Sequence, residues 1–389
     1  MAYATKEIKD LCSFSNGHGF TRHDWAKSGL PIIRIAHLNG SRDFDYFQGE
    51  PEPDWIVEPG ELLFAWAGTK GVSFGPTIWG GPRGVLNQHI FRVRPREGVD
   101  KTWLYYALLQ VTQRIEKQAH GFKSTLLHVR KSDVDSQRWP VPPVAEQRRI
   151  VDLTSLAERS LTGLDGLLVA KRTFKRGLIQ QLLTGQKRFP EFRNKPWITK
   201  AMGDYFTEKF VGNANRSATL VYSCTKSVGI VPQAERFAKR LASKDVARYK
   251  VVERGDLVYD PMLLWDGSIG FVPDNGRGVV SPAYETFSVN EEHANREYFW
   301  SLLKTGDMIQ RYKQISQGTN TRRRKAHPRD FLRLSIEMPP TRQEQDRIAD
   351  VMGLMQREID LLEALRKQIE SQKRGLLSRL LSGELRVPA

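Results

Sequence analysis

The sequence predicts an α+β protein in which two mixed α/β globules alternate with two long helices that pair as an antiparallel coiled coil. Three observations support this fold class. A forty-residue segment occurs twice, both copies have the apolar spacing of a long helix, and the stretch before each copy is rich in Gly, Pro, Trp and β-branched residues. The predicted boundaries are 1–140 and 197–338 for the globules, and 141–196 and 339–389 for the helices with their linkers.

A short motif marks the repeat. "VPPVAEQRRI" ends at Ile150, and "MPPTRQEQDRI" ends at Ile348. The offset 348 − 150 = 198 holds without gaps between 146–185 and 344–383, and 16 of these 40 positions are identical. Both copies close with Leu-Leu-x-Gly, which places Gly185 and Gly383 where a left-handed residue ends a helix. Identity of this extent indicates an internal duplication.

Each copy also carries a heptad seam. In the second copy spacings of four and three alternate, and subtracting 198 transfers the seam to the first copy. Core packing within one domain is the alternative explanation, but the match between the two seams favours packing of the helices against each other. The seam positions are 348, 352, 355, 359, 362, 366, 369, 373, 376 and 380, and correspondingly 150, 154, 157, 161, 164, 168, 171, 175, 178 and 182.

The charge balance indicates a polyanionic partner. The chain has 60 Lys and Arg against 44 Asp and Glu, a formal net charge of +16. Nucleic acid is favoured over a membrane surface because the basic residues do not gather on one amphipathic helix. A soluble protein that is merely basic is the alternative. With two cysteines and no apolar run of membrane-spanning length, we expect a soluble protein of a reducing cytoplasm.

The two globule segments are weakly similar to each other. "EPGELLFAWAGTKG" at 58–71 parallels "VERGDLVYDPMLLWDGSIG" at 252–270, and "GVLNQHIFRV" parallels "GVVSPAYETFSV". A short helix is expected after each sheet, at 103–109 and 298–303. The globules differ sharply in their loops, so we expect each to recognise a different half of a nucleic-acid target, and the two half-sites to be unrelated in sequence.

These features resemble the DNA-specificity (S) subunit of Type I restriction–modification systems. The resemblance is carried by the Pro-Pro…Glu-Gln-x-Arg-Ile motifs, the matching helix ends, the Gly-(Glu/Asp)-Leu strand entries at Gly60 and Gly255, and "LNQHI" and "SPAYETF". It covers nearly the whole chain. It implies two target-recognition domains that read the halves of a split, asymmetric double-stranded DNA target, and helices that act as a spacer between them.

The resemblance also implies partners. The paired helices would dock two modification (methyltransferase) subunits, and restriction (nuclease/translocase) subunits would complete a phage-defence complex in a prokaryotic cytoplasm. S-adenosylmethionine, ATP and Mg²⁺ would be bound by those partners and no cofactor by this chain. Because they recur in both copies, we expect the following residues to dock partners, although the Lys-Arg pairs could instead be seam residues that reach solvent: Glu146, Gln147, Arg149, Lys175, Arg176, Glu344, Gln345, Arg347, Lys373 and Arg374.

No catalytic motif is evident in the sequence. The chain lacks the Asp/Asn-Pro-Pro-aromatic loop of adenine methyltransferases, and no Gly-x-Gly pattern follows a predicted strand. We therefore expect a non-catalytic subunit with no metal site. The alternatives are a self-contained DNA methyltransferase or nuclease, an RNA-binding scaffold, and a recognition subunit of a Type II-like or other phage-defence methylation complex.

Candidate DNA contacts are basic or polar residues in the predicted loops. The densest basic cluster is "NTRRRKAHPR" at 320–329, whose arginines would bind phosphate or guanine, and Gln88 would suit adenine. A solvated charged face, a strand hydrogen bond for Gln88-His89 and a buried position for Trp265 are the alternatives. The candidates in the first globule are Lys70, Arg83, Gln88, His89, Lys123, Ser124, Arg130 and Lys131, and those in the second are Lys226, Trp265, Ser268, Arg322, Arg323, Arg324 and Lys325.

Overall fold

A computed structural model describes residues 3–69, 71–118, 126–236, 243, 245–318 and 324–387 of the chain. The chain forms two compact units, one of residues 1–165 and 364–389 and the other of residues 166–363. Each unit therefore contains one globule together with part of both long helices. Across the described ranges, no helix combines the length and hydropathy needed to span a membrane.

The globule of the first unit is built on two four-stranded sheets. Its strands are β1 (Ala4–Glu7), β2 (Cys12–Asn16), β3 (Leu30–Ile33), β4 (Tyr46–Phe47), β5 (Ile56–Val57), β6 (Leu62–Ala65), β7 (Ala67–Thr69), β8 (Gly75–Ile78), β9 (Gly84–Leu86), β10 (Ile90–Pro95), β11 (Leu126–His128) and β12 (Arg138–Val141). One sheet has the order β2-β10-β6-β8, and the other has the order β4-β3-β9-β5, in which β3 and β9 run parallel. Its helices are α1 (Ile8–Leu11), α2 (Ile35–Leu38), α3 (Lys101–Gln118) and α4 (Lys131–Asp135).

The first long helix, α5 (Val144–Leu183), leads into the second globule. The strands of the second globule are β13 (Ile198–Ala201), β14 (Phe206–Glu208), β15 (Tyr222–Thr225), β16 (Gly229–Pro232), β17 (Lys250–Glu253), β18 (Leu257–Tyr259), β19 (Ile269–Phe271), β20 (Arg277–Val280), β21 (Glu285–Val289), β22 (Ser316–Gln317), β23 (Lys325–Ala326) and β24 (Ser335–Met338). The helices are α6 (Gln233–Arg236), α7 (Arg296–Leu303), α8 (Gly306–Ile315) and α9 (Pro328–Leu332), and the second long helix α10 (Arg342–Ser382) follows.

The two globules share one sheet design. The order β14-β21-β18-β19 in the second matches β2-β10-β6-β8 in the first, and the pair β13-β24 matches β1-β12. The Gly-(Glu/Asp)-Leu pattern explains how the chain enters the central strands, which are β6 in the first globule and β18 in the second. Gly60 and Gly255 have φ of +85° and +79°, which favours glycine, and the acidic side chains of Glu61 and Asp256 accept a backbone hydrogen bond that closes the turn.

The long helices pair in opposite directions within each unit. In the first unit, Lys373 Nζ lies 2.7 Å from Glu158 Oε1, and Arg366 Nε lies 2.5 Å from Asp165 Oδ1. Residue numbers therefore rise along one helix as they fall along the other. The second unit has the same arrangement, because Lys171 Nζ lies 2.6 Å from Glu358 Oε1, whereas Lys175, further along α5, donates to Gln356, which precedes Glu358 in α10. The predicted antiparallel pairing and the α+β fold class are confirmed.

The predicted seam is shielded from solvent along most of its length. In α5 every seam position is buried or half-buried, and in α10 every position but one is as well. Leu376 is the exception, with 42% of its surface exposed, whereas the adjacent Leu377 is 9% exposed and packs in the core of the first unit. The seam prediction was wrong at this position, because α10 meets the globule core there as well as its helix partner. Gly185 and Gly383 have φ of +70° and +81°, as their helix-ending positions predicted.

Candidate nucleic-acid interface and helix junctions

In the first globule, Trp66 joins three of the chain segments that were predicted to contact DNA. Its backbone carbonyl accepts a hydrogen bond from Val129 N at 3.0 Å, next to the exposed Arg130 and Lys131. Its indole Nε1 donates to Gln88 O at 3.2 Å, and its ring meets His89 edge-on at 5.1 Å. Strand β7, which immediately precedes Lys70, pairs with β11, which precedes Arg130. Residues 66–69, at the start of the loop after β6, and the basic segment that contains Arg130 and Lys131 are therefore neighbours on one side of the globule.

The remaining candidates of the first globule are placed differently or not described. Arg83 is exposed and pairs with Glu58 at 3.2 Å. Gln88 is exposed and His89 is half-buried. Lys70, Lys123 and Ser124 lie outside the described residues.

The second globule joins the corresponding segments by a backbone hydrogen bond. Ala326 N donates to Pro261 O at 3.0 Å, which brings the exposed Lys325 beside the loop 260–268. Arg324 precedes it and is half-buried, whereas Arg322 and Arg323 lie outside the described residues. The basic segment and the loop after the central strand are thus adjacent in both globules.

A lysine that the sequence analysis missed holds the loops of the second globule together. Lys304 Nζ donates to Lys226 O at 3.0 Å and to Gly267 O at 2.7 Å, and lies 4.6 Å from the centre of the Trp300 ring. Burial lowers the pKa of Lys304 to about 8. Lys226 itself is exposed and pairs with Asp266 at 2.6 Å. No local pattern signals Lys304, because its partners are two distant loops.

Two candidates of the second globule, Trp265 and Ser268, are partly or wholly shielded from solvent. The indole of Trp265 is half-buried and its Nε1 donates to Met262 O at 2.9 Å. Ser268 is buried, so its side chain presents no surface to DNA in this structure. Both residues pack within the loop 260–268, whereas its large apolar side chains Met262 and Leu263 are exposed.

The two repeated glutamates lie in the first turn of each long helix and are buried in equivalent ion pairs. Glu146 accepts hydrogen bonds from Arg386 Nη2 at 2.7 Å and from Tyr3 Oη at 2.7 Å. Glu344 accepts them from Arg188 Nη2 at 2.7 Å and from Trp197 Nε1 at 3.2 Å. The two arginines are themselves equivalent, since 386 − 188 = 198. The guanidinium of Arg386 lowers the pKa of Glu146 to about 2, against the opposing effect of burial.

The glutamines beside them fasten each helix to its globule. Gln147 Oε1 accepts from Asp100 N at 2.7 Å, and Gln345 Oε1 accepts from Asn295 N at 2.9 Å. Asp100 and Asn295 each cap the helix that follows the sheet. Glu146, Gln147, Glu344 and Gln345 are at most 3% exposed. Burial of the four side chains leaves them no surface for a partner, and their recurrence is explained by these junctions within the chain.

The basic residues expected at a docking surface form three pairs of equivalent positions with different surroundings. Lys175 and Lys373 donate to Gln356 and Glu158 on the facing helix, which are equivalent since 356 − 158 = 198. Arg149 is half-buried, and the exposed Arg347 lies 5.6 Å from the Phe189 ring. Arg176 and Arg374 are exposed. A docking role stays a prediction for all of them.

Comparison with known proteins identifies the first part of the chain. Residues 2–162 match the model of the Type I restriction modification DNA specificity domain. These residues carry this specificity domain. The resemblance to Type I specificity subunits that the sequence analysis found is thereby confirmed, and Glu146, Gln147 and Trp66 lie inside the matched region.

Two curated relatives and one solved structure extend the comparison. The specificity subunit of the Type I restriction enzyme EcoBI from Escherichia coli is 24% identical over 52% of this chain, and the match spans only 40% of that relative. The MjaVIII specificity subunit from Methanocaldococcus jannaschii is 22% identical over 85% of this chain and 80% of its own length. The crystal structure of the HsdS subunit from Thermoanaerobacter tengcongensis has the same fold, with a TM-score of 0.60 at 15% identity, covering 99% of this chain and 97% of that one.

The described part of this specificity-domain chain contains no group of three His, Cys, Asp or Glu side chains arranged to hold a metal ion. Its two cysteines, Cys12 and Cys224, are both free and buried. Burial raises the pKa of each thiol to about 12. Neither thiol is therefore a nucleophile at neutral pH.

Proposed function

We propose that this chain is the DNA-recognition subunit of a Type I restriction–modification complex, and that each globule reads one half of a split, asymmetric target. The observation that carries the proposal is the surface that recurs in both globules. In each, the loop after the central strand is joined to a basic segment, at Trp66–Val129 in one and at Pro261–Ala326 in the other. A basic surface beside a projecting loop suits a duplex, whose phosphates bind the cations while the loop enters a groove.

We further propose that the helices dock two copies of one methyltransferase subunit. Two exposed leucines recur at equivalent positions of the repeat. Leu156 and Leu354 are 56% and 57% exposed, and Leu167 and Leu365 are 41% and 43% exposed. Each unit thus has one member of both pairs on its helix surface, and two surfaces of the same chemistry suit two copies of the same partner.

The chemistry of the complex is assigned to the partners in this proposal. The modification subunits would bind S-adenosylmethionine, and restriction subunits would bind ATP and Mg²⁺, in the cytoplasm of a prokaryote. This chain would contribute recognition and assembly and no catalytic group. Radiolabelled methyl transfer to target DNA should therefore be undetectable with the purified chain and should appear when the methyltransferase subunit is added. Transfer by the chain alone would show that it is an enzyme.

Methylation sequencing of the host genome, with and without the gene, tests the recognition role directly. Loss of one split, asymmetric modified motif on deletion is the expected result, and it provides both half-site sequences. Deletion of the gene from an otherwise active system with no change in the methylome would contradict the proposal. The binding affinity for that motif should also fall steeply with salt, with a log–log slope of about −0.9 per phosphate contacted. Duplex RNA of the same sequence should not compete.

A further inference from the structure

We propose that the loop 260–268 of the second globule reads thymine through the side chains of Met262 and Leu263, which contact the C5-methyl group in the major groove. This inference rests on the proposed DNA-reading role of that globule. Each base pair presents hydrogen-bonding groups in the major groove, and the thymine methyl is its apolar feature. Exposed apolar side chains within a basic surface therefore have a specific counterpart in duplex DNA.

The two side chains project from the surface. Met262 is 47% exposed and Leu263 is 44% exposed. Isolated exposed leucines are ordinary on soluble proteins, but here two large apolar side chains are adjacent at the tip of one loop. The loop after β6, which corresponds to it in the first globule, also has an exposed apolar residue, since Val72 is 69% exposed. An apolar tip is thus a feature of both loops.

Backbone hydrogen bonds hold the loop in place. Asp260 accepts from Met262 N through Oδ1 at 2.9 Å, and its carbonyl accepts from Leu263 N at 3.0 Å. Trp265 Nε1 donates to Met262 O at 2.9 Å. Both polar groups of the Met262 backbone are therefore fixed, and the apolar side chains are presented without a large entropic cost on binding.

Lysines lie beside the loop and favour a polyanionic ligand. Lys325 is exposed and is brought alongside by the hydrogen bond from Ala326 N to Pro261 O. The exposed Lys226 pairs with Asp266 of the loop, whereas Lys304 donates to Gly267 O and supports the loop. Contact of Lys325 with a phosphate would orient the loop toward the groove. A basic side chain beside exposed apolar side chains suits duplex DNA better than an apolar protein partner, so duplex DNA is the occupant that we propose.

Uracil substitution measures the methyl contact without altering the protein. The full chain, with its methyltransferase subunit, is bound to duplexes that carry the motif obtained by methylation sequencing, and each thymine of both half-sites is replaced in turn by uracil. Loss of one buried methyl group is worth about fourfold in the dissociation constant. We expect a loss of this size at one or more thymines of a single half-site, and the loss should disappear when the same duplexes are bound by Met262→Ala or Leu263→Ala.

A matched variant controls for loss of exposed apolar surface in general. Leu220 belongs to the same globule and is 43% exposed, so Leu220→Ala should retain the full sensitivity to uracil. Insensitivity to uracil at every thymine would overturn the inference while leaving DNA recognition intact, as would a loss that persists unchanged in both loop variants. If binding is insensitive to uracil but Met262→Ala abolishes a bend of the duplex, the Met262 side chain instead inserts between base steps as a wedge. Absence of sequence-specific binding would instead refute the proposed function itself.

Discussion

Glu146 and Arg386 form a two-point ion pair between the start of α5 and the segment that follows α10, although 240 residues separate them. Arg188 makes the same pair with Glu344 in the other unit. Each glutamate is buried at the point where a long helix leaves its globule. The repeated motif therefore marks a structural junction, in which a buried ion pair attaches each long helix to its globule.

Removal of the glutamate charge should destabilise the corresponding unit. Glu146→Gln leaves the guanidinium of Arg386 without its carboxylate, and a broken pair with one buried partner costs about 2 kcal/mol. Chemical denaturation of the full chain measures the loss of unfolding free energy, and Glu344→Gln should behave alike. Glu358→Gln, in an exposed pair with Lys171, should cost about 0.5 kcal/mol or less. Equal losses for buried and exposed pairs would show that the junction has no special role.

The same carboxylate predicts how stability depends on pH. The folded-state pKa of Glu146 is about 2, below its ordinary value of 4.5. A carboxylate with a lowered pKa contributes its full stability above its unfolded-state pKa and loses it as the pH falls through the folded-state value. The difference in unfolding free energy between the wild type and Glu146→Gln should therefore be constant above pH 5 and shrink between pH 4.5 and 2. A difference that does not vary over this range would contradict the pairing.

The two thiols should be unreactive in the folded protein. Burial raises the pKa of Cys12 and Cys224 to about 12, so little thiolate forms at pH 8. Ellman's reagent should react with neither thiol on a timescale of minutes in buffer and with both at once in denaturant. Rapid reaction in buffer of the Cys12→Ser variant, which retains only Cys224, would show that the β15 region opens to solvent.

Lys304 should matter for one half-site only. Lys304→Met preserves the length of the side chain but leaves Lys226 O and Gly267 O without their donor, so the two loops lose their common support. We expect about a tenfold weaker binding to the intact target, with unchanged discrimination against substitutions in the other half-site. Lys304→Arg should recover part of the affinity. If discrimination were lost equally in both half-sites, Lys304 would have a general structural role instead.

The exposed leucines predict a stepwise loss of the methyltransferase subunit. Leu156→Glu places a charge in one of the two proposed docking surfaces, and Leu354→Glu does so in the other. Native mass spectrometry should show one bound subunit for each single variant and none for the double variant. Gln372→Glu, which places a charge at another exposed position of α10, should leave both subunits bound. Loss of both subunits from a single variant would mean that the surfaces do not act separately.

Local patterns predicted the regular elements well because these depend on neighbours along the chain. The 3.5-residue spacing of apolar positions indicated both long helices, and Gly60 and Gly255 marked the entry to the central strands. The candidate site was predicted less completely. The basic segments and the loops after the central strands were proposed from the sequence and are adjacent in the structure, but Ser268 is buried. The support that Lys304 gives to the loops and the exposure of Met262 and Leu263 were not predicted. Exposure and long-range hydrogen bonds are not encoded in any short pattern.

The sequence by itself determined the duplication, the two helices and their antiparallel seam, since a 198-residue offset and a heptad period can be read directly along the chain. Only the tertiary structure decided what the repeated residues do. Glu146 and Gln147 had the appearance of surface contacts, yet they are buried at a junction with Arg386 and Asp100. The physical reason is that an ion pair or a cap requires a partner brought close in space, and folding brings that partner from hundreds of residues away.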